Sequence, residues 1–383
     1  MKPSNVEGTN LPQRLSQARE ATGLSIAEAA RKLHFNHYQI LSAIEKGTRN
    51  VSANELISMA RLYGRSLSYF FESKVPVDPV ALWRRTPGSD IQKEQRQFLT
   101  FLERYSSLEN LLGLKRRWKE ILTILDRDDF AGNAFETCDK LGSDLQRRLD
   151  LGSRPACNLL NILEDTLRFK IIHLDLGDGV SGASMVDSTL GVGILINAHD
   201  TPWRRNYDLA HELFHIVTWT VFSPEEIGDG SRKTKPEQYA DSFAASLLLP
   251  EEPVRAALKE IAVNQQLKLV DIIELAKAFG VSSEAVLWRL LNLKIIKKNQ
   301  IDKILGDPEF RNLDRNLRRG LHAEQRPEKF PQRYISLACR CLMEGKISRG
   351  LFAEYMEIDR SDIDDYLSAA GYVEKNYEKI AAS

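Results

Sequence analysis

The sequence predicts a mainly helical chain of the α+β class. Three observations lead there. Capped stretches with apolar residues at three- and four-residue spacing recur from residue 11 to residue 370. Strand-like apolar runs are confined to residues 169–197. After them lie two long amphipathic stretches, one of which carries H-E-x-x-H at 211–215. The expected organisation is an N-terminal five-helix domain (1–74), a linker with connector helices (75–130), a central domain with a small antiparallel sheet (131–300) and a helical C-terminal subdomain (301–383).

Composition narrows the class. A chain of 383 residues has room for about two to three domains. At 43% hydrophobic and 28% charged it is an ordinary globular chain, not a disordered or fibrous one. Lys plus Arg equal Asp plus Glu at 53 each, so only a single domain, not the whole chain, can bind a polyanion by charge. No apolar run is long enough to span a bilayer, and residues 1–13 lack a signal-peptide core. The four cysteines, 138, 157, 339 and 341, match neither a zinc nor a redox spacing. A cytoplasmic, membrane-free protein without disulfides is expected.

Residues 11–72 divide into five short helices. Ser25 with Glu28 forms a capping box for the second, and Asn36 is placed to cap the third. Gly47 ends the third and Ser52 caps the fourth. Two short helices joined by a tight turn, with Ala30, Leu33, Leu41 and Ile44 facing inward, fit a helix-turn-helix. L-S-x-x-E-x-A-x-x-L (24–33), I-E-x-G (44–47) and L-x-x-x-A-x-x-x-G (56–64) resemble the XRE family of phage-repressor-like DNA-binding domains. By position, Asn36, His37, Tyr38, Gln39 and Ser42 would face the major groove of double-stranded operator DNA. Gln39 is the best base reader, since Gln pairs bidentately with adenine, and Lys46 and Arg49 would touch phosphate. Nine Lys/Arg against five Asp/Glu over residues 10–74 make this domain basic. A helical protein-interaction module is the alternative.

Pro76, Pro79 and Pro87 mark residues 75–89 as an extended linker. Residues 91–120 then form one or two amphipathic helices, with Phe98, Phe101, Leu102, Tyr105, Leu108, Leu111 and Leu112 on one side. A dimer helix and a scaffold helix fit equally; a homodimer would suit paired DNA half-sites.

In the central domain, 133–149 and 155–167 are expected helices, and 169–176, 183–187 and 192–197 strands of an antiparallel meander. G-x-G-x-x-G at 177–182 follows a strand but precedes another strand, so a dinucleotide site is rejected. The helix over 203–219 brings His211 and His215 to one face, one turn apart, where two imidazoles can share one zinc. Glu212 lies beside them, placed to take a proton from water at the open position. A polar loop covers 225–235, and a second helix runs from Pro236 to Pro250. On it Glu237 and Asp241 share a face. In an antiparallel pair of helices, Glu237 completes a His₂Glu set and Asp241 accepts the other ring N–H of a histidine.

A-H-E-x-x-H (210–215), the strand ending at Ile196-Asn197 and E-x-x-A-D-x-F-A-A-x-L-L-L-P (237–250) resemble the ImmA/IrrE metallopeptidases, weakly over 133–300. The resemblance implies a zincin-like fold, with His211, His215 and Glu237 as Zn²⁺ ligands and Glu212 as the catalytic carboxylate. It also implies proteolysis of a repressor that controls phage, mobile-element or DNA-damage genes. Phe214 stands where this motif commonly has Gly, which would narrow the cleft. Tyr207, Tyr239 and His199 are candidate oxyanion donors, and the strand 193–197 is expected to pair with extended substrate.

Helices continue through 251–293; a polar stretch with Lys297, Lys298, Arg311, Arg315, Arg318 and Arg319 follows. Three short helices, 333–345, 348–355 and 361–370, close the chain as a plain helical subdomain, although 347–366 faintly resembles a second helix-turn-helix. The leading expectation is a transcriptional regulator with a DNA-binding head and a zinc endopeptidase body that cuts a repressor. The rival is a regulator whose zincin domain only senses a ligand or partner. Self-cleavage in the 75–89 linker is a third reading.

Overall fold

The computed structural model describes residues 11–20, 22, 24–63, 67, 70, 82–83, 92–114, 125–178, 180–228, 233–261, 267–319 and 326–372. The chain forms two compact units, Met1–Val80 with Gly88–Leu112, and Ala81–Pro87 with Gly113–Ser383.

The first unit holds α1 (Leu11–Glu20), α2 (Ile26–Lys32), α3 (Tyr38–Glu45) and α4 (Ala53–Tyr63), and, after β1 (Leu82–Trp83) of the second unit, α5 (Gln92–Leu111). Leu15, Ala18, Ala30, Leu41, Ile44, Met59 and Tyr63 close one core. The expected capping box forms, and a second one, not foreseen, forms at the expected Ser52 cap. The Glu28 amide donates to Ser25 Oγ at 3.2 Å and the Ser25 amide to Glu28 Oε2 at 3.0 Å. Ser52 and Glu55 repeat the exchange at 3.3 and 2.9 Å. Asn36 does not cap α3. The cap position falls to His37, whose side chain makes no capping bond. His34, at φ 58°, makes the turn into the left-handed region, and α3 begins one residue later than expected. α3 is fixed instead from its other end. The Arg19 guanidinium grips the Glu45 carboxylate twice, at 2.8 and 2.9 Å, and donates to the Leu24 carbonyl at 2.9 Å. A two-pronged pair of this kind sets orientation as well as distance. Of the expected fifth helix only Leu67 and Phe70 are described, with the Phe70 amide donating to the Leu67 carbonyl at 3.2 Å and Phe70 buried in the same core, and most of the 75–89 linker lies outside the described residues.

The second unit continues with α6 (Ala134–Arg148), α7 (Pro155–Asn161), β2 (Lys170–Leu174), β3 (Gly182–Asp187), β4 (Gly191–Asn197), α8 (Pro202–Val217), α9 (Pro224–Ile227) and α10 (Lys235–Leu248). Then come α11 (Glu251–Ile261), α12 (Leu269–Phe279), α13 (Ser283–Asn292), α14 (Lys298–Gly306), α15 (Pro308–Arg318), α16 (Gln332–Met343), α17 (Arg349–Met356) and α18 (Ile363–Ala369). The mainly helical class with one small sheet holds.

The sheet is not the expected meander. Its order is β1-β3-β4-β2, with β4 antiparallel to β3 but parallel to β2. Burial gives the reason. Every residue of β4, Gly-Val-Gly-Ile-Leu-Ile-Asn, is buried, while β3 ends in less buried residues. The most apolar strand takes the centre, where both of its faces and both of its edges are covered. β4 therefore has no free edge for a substrate, and the expected pairing of 193–197 with substrate is overturned.

Two further expectations change. The segment 225–235 begins as a helical turn, α9, rather than a loop. The polar stretch 297–319 is helical, as α14 and α15. Its apolar period is sparse, with Ile301 and Phe310 buried and Ile304, Leu313 and Leu317 beside them, and the intervening charges mask it. Arg318 is itself buried, donating to Asp314 and to the Val281 carbonyl. No described helix is long and apolar enough to cross a membrane.

Candidate metal centre

α8 forms because Pro202 opens it at a position that needs no N–H donor, and its apolar residues Leu209, Leu213, Phe214, Ile216 and Val217 all reach the core. α10 starts the same way at Pro236 and ends before Pro250. Contacts between them fix an antiparallel pair, since Tyr207 meets Asp241 and, two turns along, His215 meets Glu237. A third helix holds α10 in place. Ser246 Oγ donates to the Asp139 carbonyl at 2.6 Å, and a side chain at Gly142 would stand 2.7 Å from the Phe243 carbonyl, so α6 lies directly on α10.

Three expected residues converge. His211 Nε2 and His215 Nε2 are 3.2 Å apart, and Glu237 places Oε2 at 3.3 Å from the first and Oε1 at 3.1 Å from the second. Ligands about 2.0–2.1 Å from a tetrahedral zinc lie about 3.3 Å from each other, so the donor set fits such an ion. All three residues are buried. Beside them Glu212 is 1% exposed, and neither of its oxygens has a hydrogen-bond partner. A buried carboxylate without a partner costs several kcal/mol, about the cost of removing an ion from water. A site that binds metal and water recovers that cost; a purely structural one does not.

Asp241 Oδ1 stands 3.0 Å from His211 Nδ1, and its Oδ2 pairs with Lys233. It thus sets which ring nitrogen of His211 carries the proton and leaves Nε2 free toward Glu237. Burial works against the charged forms of Glu237 and Asp241. The bonds to His211, with His215 for Glu237 and Lys233 for Asp241, outweigh it and hold both carboxyls well below the usual range.

The remaining sequence candidates scatter. The Tyr207 hydroxyl donates to the Asp241 carbonyl at 2.9 Å. Tyr239 packs among Phe130, Phe135 and Phe222, and His199 lies 4.0 Å from Asp178 on the surface. None of the three meets Glu212. Phe214 does not narrow the cleft; it is fully buried against Phe222 and Phe243, inside the core.

One residue beside Glu212 was missed in sequence, and the bonding role of Asn197 was not read. Gly182, set aside with the rejected nucleotide motif, brings β3 against Glu212: a Cβ there would meet the Leu195 carbonyl at 2.7 Å and Glu212 Oε1 at 3.5 Å. Asn197 is buried and ties the preceding loop, donating to the Gly177 and Val180 carbonyls at 2.8 and 2.7 Å and accepting from the Leu176 amide at 3.0 Å. Only the Ile-Asn ending of its strand pointed to it.

In the head, Asn36, His37, Tyr38 and Gln39 are exposed along the start of α3, and Ser42 is half-buried one turn on. Lys46 is exposed; Arg49 is exposed but paired with Glu55 at 2.8 Å.

A capped helix-turn-helix and a convergent His-His-Glu set beside a buried Glu define a class: a DNA-binding head joined to a metallopeptidase-like body. Comparison with known families gives the same two parts in the same order. Residues 15–70 match the family model of the helix-turn-helix, here of the XRE type, and residues 165–291 match that of the IrrE N-terminal-like domain. No curated protein and no solved structure matches the chain.

Proposed function

We propose that the protein is a transcriptional regulator whose body is a zinc endopeptidase that cuts a specific repressor in phage, mobile-element or stress-response control. The convergence of His211, His215 and Glu237 beside the unpartnered Glu212 carries the reading. Zinc bound there would supply Lewis acidity to a water and a peptide carbonyl. The protein's own groups do the rest. Glu212 takes a proton from the attacking water and returns it to the amine nitrogen that leaves. Asp241 holds His211 in the tautomer that presents Nε2. The buried walls keep bulk water away from the exchange.

In the head, Asn36, His37, Tyr38, Gln39 and Ser42 would read bases, and Lys46 and Arg49 would hold phosphate. Their position on and beside an exposed α3 supports this. Arg49 would exchange Glu55 for phosphate on binding.

The test is zinc per chain by elemental mass spectrometry, on the natural chain and on Glu237→Ala. Near one zinc in the first and much less in the second is expected, followed by repressor cleavage that Glu212→Gln abolishes. A folded chain that takes no zinc when it is supplied would overturn the peptidase reading. Zinc without cleavage of any repressor would leave the body as a sensor.

A further inference from the structure

β1 is two residues long and comes from the stretch between α4 and α5, yet it belongs to the body. Leu82 pairs with Ser184 and Trp83 with Ala183, antiparallel, on the side of β3 turned away from β4. The next residue of β3 is Gly182, which stands against Glu212. The outer rim of β3 is thus the sheet edge that leads to the site, and β4, its inner neighbour, has no edge to offer.

An endopeptidase must hold its substrate extended, and an exposed strand rim is the ready template for that. Here the template is filled by the chain itself. Pro79 and Pro87 flank the segment in the sequence, and proline has no N–H to give to a ladder. A ladder this short is weakly held, so it can be displaced.

We propose that Leu82–Trp83 is a built-in competitor strand: it pairs with β3 where the backbone of a protein substrate would pair, and keeps the body from substrates until it is released. This rests on the peptidase reading given above. The occupant lies in the chain between α4 and α5.

The test uses the full chain with Glu212→Gln, so that no peptide is cut, and a fluorescein-labelled peptide of residues 79–88. Fluorescence anisotropy should show at least tenfold tighter binding when the chain also carries Leu82→Pro and Trp83→Pro, which remove both strand N–H groups. A peptide carrying the same two prolines should not bind. Equal binding with and without the proline pair would overturn the proposal. Hydrogen exchange gives a second reading that needs no variant at the strand: of residues 82 and 83, the one whose amide points at β3 should be protected in the natural chain, and free exchange of both amides would overturn the proposal as well. Neither measurement needs hydrolysis, so their failure counts against the competitor strand, whereas absent zinc counts against the peptidase. Loss of mass at residues 79–88 when the natural chain is given zinc would make the segment a substrate and overturn its role as a competitor.

Discussion

At Glu212 the protein holds a carboxylate that its fold does not satisfy, and at Asp241 it holds one that it satisfies twice. On the peptidase reading proposed above, the contrast is between a group kept for reaction and a group kept for positioning. Asp241→Ala should therefore weaken zinc binding by about 10- to 100-fold, while Asp241→Asn, whose amide oxygen still accepts the His211 proton, should lose much less; competition with a chromophoric chelator measures both. A second buried acid sits apart from the site. Burial, and then the charge of Asp165, push Glu164 up to about 8, against the pull of Arg333. The folded chain keeps this proton up to about pH 8, whereas an unfolded chain releases it near 4.5, so stability falls as pH rises across that window. Glu164→Gln should melt later than the natural chain at pH 8, by roughly 3–5 kcal/mol at most, and nearly alike at pH 4.5. His211, His215, Glu237 and Asp241 were legible because helical spacing alone puts each pair on one face. Gly182 and Asn197 were not, because each acts through a close approach between segments far apart in sequence.

At the scale of elements, the caps and periods that mark helices were legible, and the order of strands was not. Ser25, Ser52, Asn133, Ser282 and the two Pro-opened helices α8 and α10 begin where local chemistry says they must. Strand order depends on which strand is most thoroughly covered, and the helices that cover β4 come from elsewhere in the chain. α14 and α15 were missed for a related reason, since each commits only a few apolar residues to the core. The contact between α6 and α10 tests how tightly the metal-site helix is held. Gly142→Ala would set a methyl 2.7 Å from the Phe243 carbonyl, so α6 must move away. A loss of about 1–3 kcal/mol is expected in urea unfolding, with weaker zinc binding, because α10 carries Glu237 and Asp241.

At the scale of the whole molecule, charge is balanced at 53 against 53 while residues 10–74 hold nine basic and five acidic residues, so the binding charge is concentrated in one part. Composition could not locate it; counting by segment could. The C-terminal helices have a structural task that the sequence did not advertise. The His173 amide, on the rim of β2, donates to the Lys329 carbonyl at 3.2 Å, and Lys329 is in turn paired with Glu357 at the end of α17. A bare strand rim is a template for another copy of the same strand. A chain ended at Arg319 keeps His211, His215, Glu237 and the core helices α14 and α15, yet should self-associate at concentrations where the full chain stays monodisperse in light scattering. The segment after Arg319 would then act as an internal guard against aggregation, and misassembly of the sheet would begin at its parallel edge, β2, rather than at the edge that β1 covers.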